Sequence, residues 1–373
     1  MASAAILNSR QSKTPICKDE WAINTVAAVG HATLFKEWDV ISSVGMFTWD
    51  FVTWLAGSHA TILHLVVPRV KGTDGSEITN SIIRDFALVP DRVRWHFIDV
   101  APTDAEGKKW WPQRDRMVIE TANIILPVSL RLGGALFELL YESSIRVRID
   151  HQFEVISHDP ESHHLRELVD PTRLTNEIQN WGSDWLIHWT RTCHGPWPGE
   201  TRARFFEDFM EWRNDYCRSG LRTLQRSLQE RLIRASSWRI GDNQAMVAFT
   251  ELSPVASIPL MRWRPRWSNW AFEPYGIAIH RDLAPVLGIR PVRYVPADEW
   301  RRVVPEDKPF THSVGKANPI WPMECEWRCA GDVNLGAIPA DALRIIVRGR
   351  TEVPIVQKTH YASVHAFMEN APV

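Results

Sequence analysis

The residues best equipped for chemistry lie in the second half of the chain, spread over separate short apolar runs. His188 and Arg191 fall in Trp185-Leu186-Ile187-His188-Trp189-Thr190-Arg191, and Arg234 precedes a run that closes on Phe249-Thr250-Glu251. Tyr275 opens Tyr275-Gly276-Ile277-Ala278-Ile279, and Glu324 and Glu326 flank Cys325. Histidine, arginine, hydroxyl and carboxylate on different strands suit a curved sheet that clamps a dinucleotide and stabilises an oxocarbenium-like transition state. There His188 hydrogen-bonds a ribose, Arg191 or Arg234 holds a phosphate, and Glu326 polarises an acceptor or a ribose hydroxyl. Side chains two apart on a strand share a face, so Glu324 is expected beside Glu326, with Cys325 pointing away. The alternative for His188 and Glu326 is an ordinary half-buried polar residue satisfied by its neighbours.

A second constellation is basic and aromatic: Arg262-Trp263-Arg264-Pro265-Arg266-Trp267-Ser268-Asn269-Trp270. Arginines interleaved with flat rings can hold phosphates while stacking bases, the behaviour of single-strand binders, so Arg262, Arg264, Arg266, Trp263 and Trp267 are candidate DNA contacts. The alternative has the tryptophans packed on the sheet and the arginines reaching solvent.

The first half offers phosphate chemistry instead. Ser42-Ser43-Val44-Gly45-Met46 leads into the helical stretch Phe47 to Ala56, and Gly133-Gly134 leads into Phe137-Glu138-Leu139-Leu140. Small residues before a helix let backbone N–H groups approach a phosphate at the positive helix end. Arg114, Arg116 and Arg131 add charge for such a ligand. The alternative is that each glycine only turns the chain and each arginine is solvated.

These groups need elements to hold them. From Ala22 to about Ile156 short apolar runs alternate with helical stretches, the pattern of a mostly parallel sheet covered by helices. Strands are expected at Thr25 to Val29, Ile62 to Val67, Val93 to Ile98 and Ile124 to Val128. The polar stretch 151–181, with its His163-His164 pair, reads as a linker or boundary between a domain at 1–150 and another at 182–373. In the latter, Thr201 to Ile233 is expected as one helix, with Phe205, Phe209, Trp212, Tyr216, Leu224, Leu228 and Leu232 on its core face. Strands are expected over Trp185–Arg191, Ala245–Glu251, Tyr275–Ile279, Val292–Val295, Glu324–Arg328 and Leu343–Val347. The fold class is thus an α/β domain followed by an α+β domain.

Composition narrows the partners. With 43 Lys plus Arg against 44 Asp plus Glu in 373 residues, no overall field draws the protein to nucleic acid or an anionic membrane, so any such contact must be a local patch. No run approaches the roughly 18 apolar residues that span a bilayer, and the opening lacks a leader pattern, so a cytoplasmic protein with no membrane partner is expected. The five cysteines are odd in number and scattered, which fits reduced thiols. Cys325 and Cys329, even with Cys193 and His194, lack zinc-ligand spacing, and no metal is expected.

Two resemblances join these readings. Ser43-Val44-Gly45-Met46, Arg114-Asp115-Arg116 and Leu130-Arg131-Leu132-Gly133-Gly134-Ala135-Leu136-Phe137-Glu138 resemble the SLOG superfamily, the Rossmann-like group that includes DprA and the LOG phosphoribohydrolases. The resemblance implies a Rossmann-like domain with a nucleotide ligand at Gly45, Arg114, Arg116, Gly133 and Gly134. The first loop carries one glycine where the family usually has several, and Leu132 stands where it has proline, which points to ligand sensing rather than hydrolysis. Over Trp185 to Val347, the segments Ile187–Arg191, Ile233–Ser236, Phe249–Glu251, Glu273–Ile279 and Glu324–Arg328 resemble the DarT-like ADP-ribosyltransferase and abortive-infection group. That resemblance implies an ADP-ribosyltransferase-like domain using NAD, with Glu326 catalytic, Glu324 and His188 assisting, and Arg191, Arg234, Thr250 and Tyr275 around the cofactor.

Together they imply a bacterial phage-defence or nucleic-acid-modification effector: a nucleotide-sensing domain coupled to a transferase acting on a nucleotide or on single-stranded or duplex DNA. One rival is a different chemistry on a base or nucleoside, with Glu326 as general acid or base or with Cys325 or Cys329 as nucleophile. The other is a non-catalytic protein that only binds nucleotide and nucleic acid.

Overall fold

The computed structural model describes residues 2–104, 109–142, 146–156, 168–212, 214–236, 244–265, 269–314, 324–358 and 362–369. Two compact units emerge: Met1–Glu161 with His194–Cys217, and Ser162–Cys193 with Arg218–Val373.

The first unit is a parallel α/β sheet, consistent with a Rossmann-like domain. Its strands are β1 (Ser3–Asn8), β2 (Asp39–Ser43), β3 (Leu63–Val70), β4 (Val93–Val100), β5 (Ile124–Ser129) and β6 (Arg148–Ile149), ordered β4-β3-β2-β1-β5-β6 and all parallel. Its helices in this part of the chain are α1 (Glu20–Gly30), α2 (Phe47–Gly57), α3 (Ser76–Phe86), α4 (Trp111–Thr121) and α5 (Ala135–Leu140). Every residue of β1 is buried: Ala4 and Ile6 face one core with α1, while Ala5 and Leu7 face the other with α4 and α5. Such a strand has no polar face and shows no alternation, the mark of a parallel strand covered on both sides.

Three of the four expected strands form, as β3, β4 and β5. The fourth, Thr25 to Val29, lies inside α1 instead. Its buried residues Trp21, Ala22, Thr25, Ala28 and Val29 recur at helical spacing, and its alanines favour helix over strand. The central strands β1 and β2 take the place assigned to it.

The chain next supplies α6 (Asn176–Gln179) and β7 (Trp185–Trp189) to the second unit, then returns to the first for α7 (Arg202–Glu211). The helix expected over Thr201 to Ile233 is therefore two. Thr201 caps α7, accepting from the Arg204 N–H, and Ser219 caps α8 (Gly220–Glu230), accepting from the Arg222 N–H. Phe205, Phe206 and Phe209 of α7 join the core of the first unit, whereas Leu224 and Leu228 of α8 join that of the second.

The second unit continues with β8 (Leu232–Ile233), β9 (Met246–Thr250), α9 (Pro254–Ser257), β10 (Trp263–Arg264), β11 (Asn269–Trp270), β12 (Gly276–His280), β13 (Arg290–Pro291), β14 (Arg293–Pro296) and α10 (Ala297–Trp300). It closes with β15 (Thr311–Val314), β16 (Glu326–Ala330), β17 (Val333–Asn334), β18 (Leu343–Gly349), α11 (Val353–Gln357) and β19 (Ser363–Met368). Its main sheet is mixed, in the order β13-β16-β9-β7-β12-β18-β19, with antiparallel neighbours except for the parallel pair β18 and β19. The expected strand at Val292–Val295 is β14, paired with β15 outside that sheet. One core lies under α8, and a second, with Trp185, Ile187, Trp189 and Phe367, fills the opposite face.

Candidate functional site

In the first unit the chain runs from β1 outward through β2, β3 and β4, then crosses to β5 and β6 on the other side. The order therefore reverses between β1 and β5, and ligands of open α/β sheets sit outside the carboxyl ends of the strands at such a point. The crevice walls are tied by short-range bonds. The Ser9 N–H donates to the Ser129 carbonyl at 2.7 Å, the Arg131 N–H to Ser9 Oγ at 2.9 Å, and Gln11 Nε2 to Ser129 Oγ at 3.0 Å. Both glycine turns open on this edge. Gly133 has φ of +68°, and a Cβ on Gly134 would meet the Arg131 carbonyl at 3.0 Å, so the turn before α5 is shaped for glycine. Three buried atoms at the same edge have no hydrogen-bond partner among the described residues: Asn8 Oδ1 at the end of β1, and Thr48 Oγ1 and Trp49 Nε1 in the first turn of α2. Unpaired buried polar atoms are uncommon in folded proteins.

The first glycine loop is held by charge. Gly45, at φ of +96°, donates its N–H to Asp50 Oδ1 at 2.8 Å. Asp50 is buried, and burial pushes its carboxyl above the usual carboxylate range, opposed foremost by Arg202 and then by the Gly45 N–H. Arg114, 1% exposed, lies among the rings of Trp49, Trp110 and Trp111 with its centre 5.3, 5.4 and 4.8 Å from theirs. It pairs with Asp115 at 2.8 Å and donates to the Val44 carbonyl at 3.4 Å. Arg114 therefore braces the loop from behind. Arg116 turns outward and pairs with Glu142 at 2.7 Å and Glu120 at 3.5 Å. Arg131 is exposed at the crevice mouth.

In the second unit the register aligns Glu326 with Thr250 and Thr250 with Ile187, so these three share one face of the sheet. His188, one residue on, lies on the other face, its ring 5.8 Å from that of Phe249 and its Nδ1 2.8 Å from the Ala248 carbonyl oxygen. Burial holds this imidazole below its usual range. The sheet thus separates His188 from Glu326.

Glu326 is gripped by Arg328 two residues along its own strand, with Nε to Oε1 at 2.8 Å and Nη2 to Oε2 at 2.9 Å. Glu324 is not its strand neighbour, because β16 begins at Glu326 and Cys325 adopts a left-handed φ of +43°. Glu324 pairs with Arg264 at 3.0 Å, its backbone carbonyl accepts from Thr250 Oγ1 at 2.6 Å, and burial pushes its carboxyl upward. Burial lowers the Arg191 guanidinium, with the nearby Arg264 acting in the same direction. Arg234 is surface-exposed and paired with Glu230 at 2.8 Å. Tyr275 donates its hydroxyl to Glu352 at 2.9 Å.

The Arg/Trp segment forms the β10–β11 hairpin, with Trp263 opposite Trp270 and Arg264 opposite Asn269. The two indoles meet edge to face at 5.6 Å. Alternation puts Arg264 on the other side, toward Glu324, so arginine and tryptophan do not share a surface there. Arg262 is exposed, whereas Arg266 and Trp267 lie outside the described residues, as do His163 and His164. Cys329 is buried beside the Leu287 carbonyl at 3.2 Å, and burial raises the thiols of both Cys325 and Cys329, which works against nucleophilicity. A concavity of about 470 Å³ opens beside Cys325, lined in part by Trp181, Glu251 and Arg281. Among the described residues no cluster of three or more His, Cys, Asp or Glu is arranged to hold a metal, and no helix is long and apolar enough to cross a membrane.

Asp50, Arg202, Glu273 and Arg328 carry much of this electrostatics without standing out in the sequence. Glu273 is buried, accepts the Thr192 N–H at 2.6 Å, and is pushed upward by burial. Asp50 had a legible signal, an acid in the first turn of a helix after a glycine, and Arg328 stands at the two-residue spacing that places it on the same strand face as Glu326.

No protein-family model matches the chain, and no curated protein matches it. Among solved structures it is similar to DNA processing protein A from Helicobacter pylori, whose structure concerns that protein's single-stranded DNA binding mode. The similarity has a TM-score of 0.28 and 11% sequence identity, and covers 40% of this chain and 64% of that one, less than two thirds of its length.

Proposed function

We propose that this chain is a nucleotide-binding protein that takes a phosphate-bearing ligand at the carboxyl edge of the first unit's sheet, between β1 and β5. The observation that carries the reading is the reversal of strand order there, flanked by glycine turns after β2 and β5. The unpartnered Asn8 atom at the end of β1 and Thr48 atom in the first turn of α2 support it. Isothermal titration of the full chain against AMP, ATP, NAD and a short single-stranded oligonucleotide tests it. At least one should bind, and Arg131→Glu, which reverses charge at the mouth without touching a core, should weaken that affinity by about tenfold or more. Binding of none of them, or equal binding by the variant, contradicts the reading.

A second reading is ADP-ribosyl transfer from NAD at the Glu324–Arg264 pair. It is favoured by a half-buried carboxyl held toward its protonated form next to a guanidinium. NAD turnover that disappears in Glu324→Gln supports it; turnover that is absent, or unchanged by the substitution, sinks it.

A further inference from the structure

The carboxylate that ties the Gly45 loop is controlled from outside its own helix. Asp50 Oδ1 receives the Gly45 N–H at 2.8 Å, and Oδ2 lies 3.2 Å from Arg202 Nε. The charged groups acting on it lie on three other helices: Arg202 at the start of α7, Asp85 near the end of α3, and Arg114 of α4. Arg202 also donates its backbone N–H to Asp85 Oδ1 at 2.7 Å and its guanidinium to Asp85 Oδ2, so one arginine joins two acids from different helices. It is delivered on a rigid mount, because Phe205, Phe206 and Phe209, one to two turns along α7, pack on Phe47 of α2 at 5.8, 5.4 and 5.4 Å.

We infer that Arg202 is a positioning residue for the ligand loop: by holding the Asp50 carboxylate it fixes the Gly45 N–H, and with it the shape of the turn between β2 and α2. The last step, that this shape serves nucleotide binding, rests on the function proposed above; the linkage from Arg202 to Gly45 does not. Burial and Asp85 both push Asp50 toward its protonated form, and Arg202 is the foremost opposing group. Without it a larger share of Asp50 is neutral at a given pH, and the Gly45 N–H loses its charged acceptor.

The test follows the Gly45 amide resonance of the full chain by NMR across pH, in the wild type, Arg202→Met and Arg202→Lys. The wild-type amide should report the Asp50 titration, and the midpoint should rise by about one pH unit or more in Arg202→Met. Arg202→Lys keeps the charge and the fold and should shift it in the same direction by less. The nucleotide affinity of Arg202→Met should fall about tenfold below the shifted midpoint and recover above it, where Asp50 is ionised again. An unchanged midpoint in a folded Arg202→Met, or in Arg202→Lys should the methionine variant not fold, overturns the inference. A shifted midpoint in a protein that binds no nucleotide leaves the Arg202–Asp50 linkage standing and removes the proposed function instead.

Discussion

Each unit places an arginine against a carboxylate beside a strand end, and the two pairs are built in opposite ways. Glu326 is held by Arg328, two residues away on the same strand, so its geometry follows from the local pleat. Asp50 is held by Arg202, 152 residues away, on a helix the chain supplies only after it has begun the second unit. The local pair satisfies a carboxylate and leaves it little capacity for other work. The distant pair fixes a backbone loop, and makes the shape of that loop depend on packing elsewhere in the same unit.

The largest effect is expected at Arg114, the buried brace behind the Gly45 loop: Arg114→Ala strands Asp115 and removes the donor to the Val44 carbonyl, which should cost about 3–5 kcal/mol in denaturant unfolding of the first unit. A loss below about 1 kcal/mol would show that the loop does not need its brace. Arg328→Met should cost less, about 1–3 kcal/mol, because Glu326 keeps some access to water. If it cost more than Arg114→Ala, the half-buried Glu326 and not the fully buried arginine of the Gly45 loop would be the costlier group to leave without its partner.

The smallest effect concerns pH. His188 has a folded-state pKa below the ordinary 6.5, so it stays neutral in the fold while the unfolded chain takes up a proton. Its contribution is therefore full above about 6.5 and is lost as pH falls toward the folded value. His188→Gln, which can still donate to the Ala248 carbonyl, should flatten the acid-side loss of stability by no more than about 1.4 kcal/mol per pH unit. The other histidines held low, His59, His96, His312 and His365, keep the remaining slope in the variant. Parallel stability curves for wild type and variant would count against a neutral, half-buried His188.

What could be read from the sequence follows from which physical rule dominated locally. The strands at Leu63, Val93 and Ile124 are apolar runs bounded by polar turns, and both glycine turns precede helices as their composition implies. The central strand Ser3–Asn8 escaped because burial on both faces erases alternation, and Thr25 to Val29 misled because an alanine-rich helix can mimic a short apolar run. Glu324 and Glu326 look like strand neighbours until one left-handed residue, Cys325, starts the strand later. The Arg/Trp interleaving suggested a shared surface, yet a period of two sends alternate residues to opposite sides. No local pattern pairs Asp50 with Arg202, since that partnership exists only once α7 has packed on α2 and α3.

Nucleotide binding at the two glycine turns is tested most directly by hydrogen–deuterium exchange of the full chain with and without the nucleotide that titration identifies. Added protection is expected in peptides covering 44–50 and 131–138, the two glycine turns beside β1, with little change along β16. Protection confined to β16 and the β10–β11 hairpin, with both turns unaffected, would contradict it.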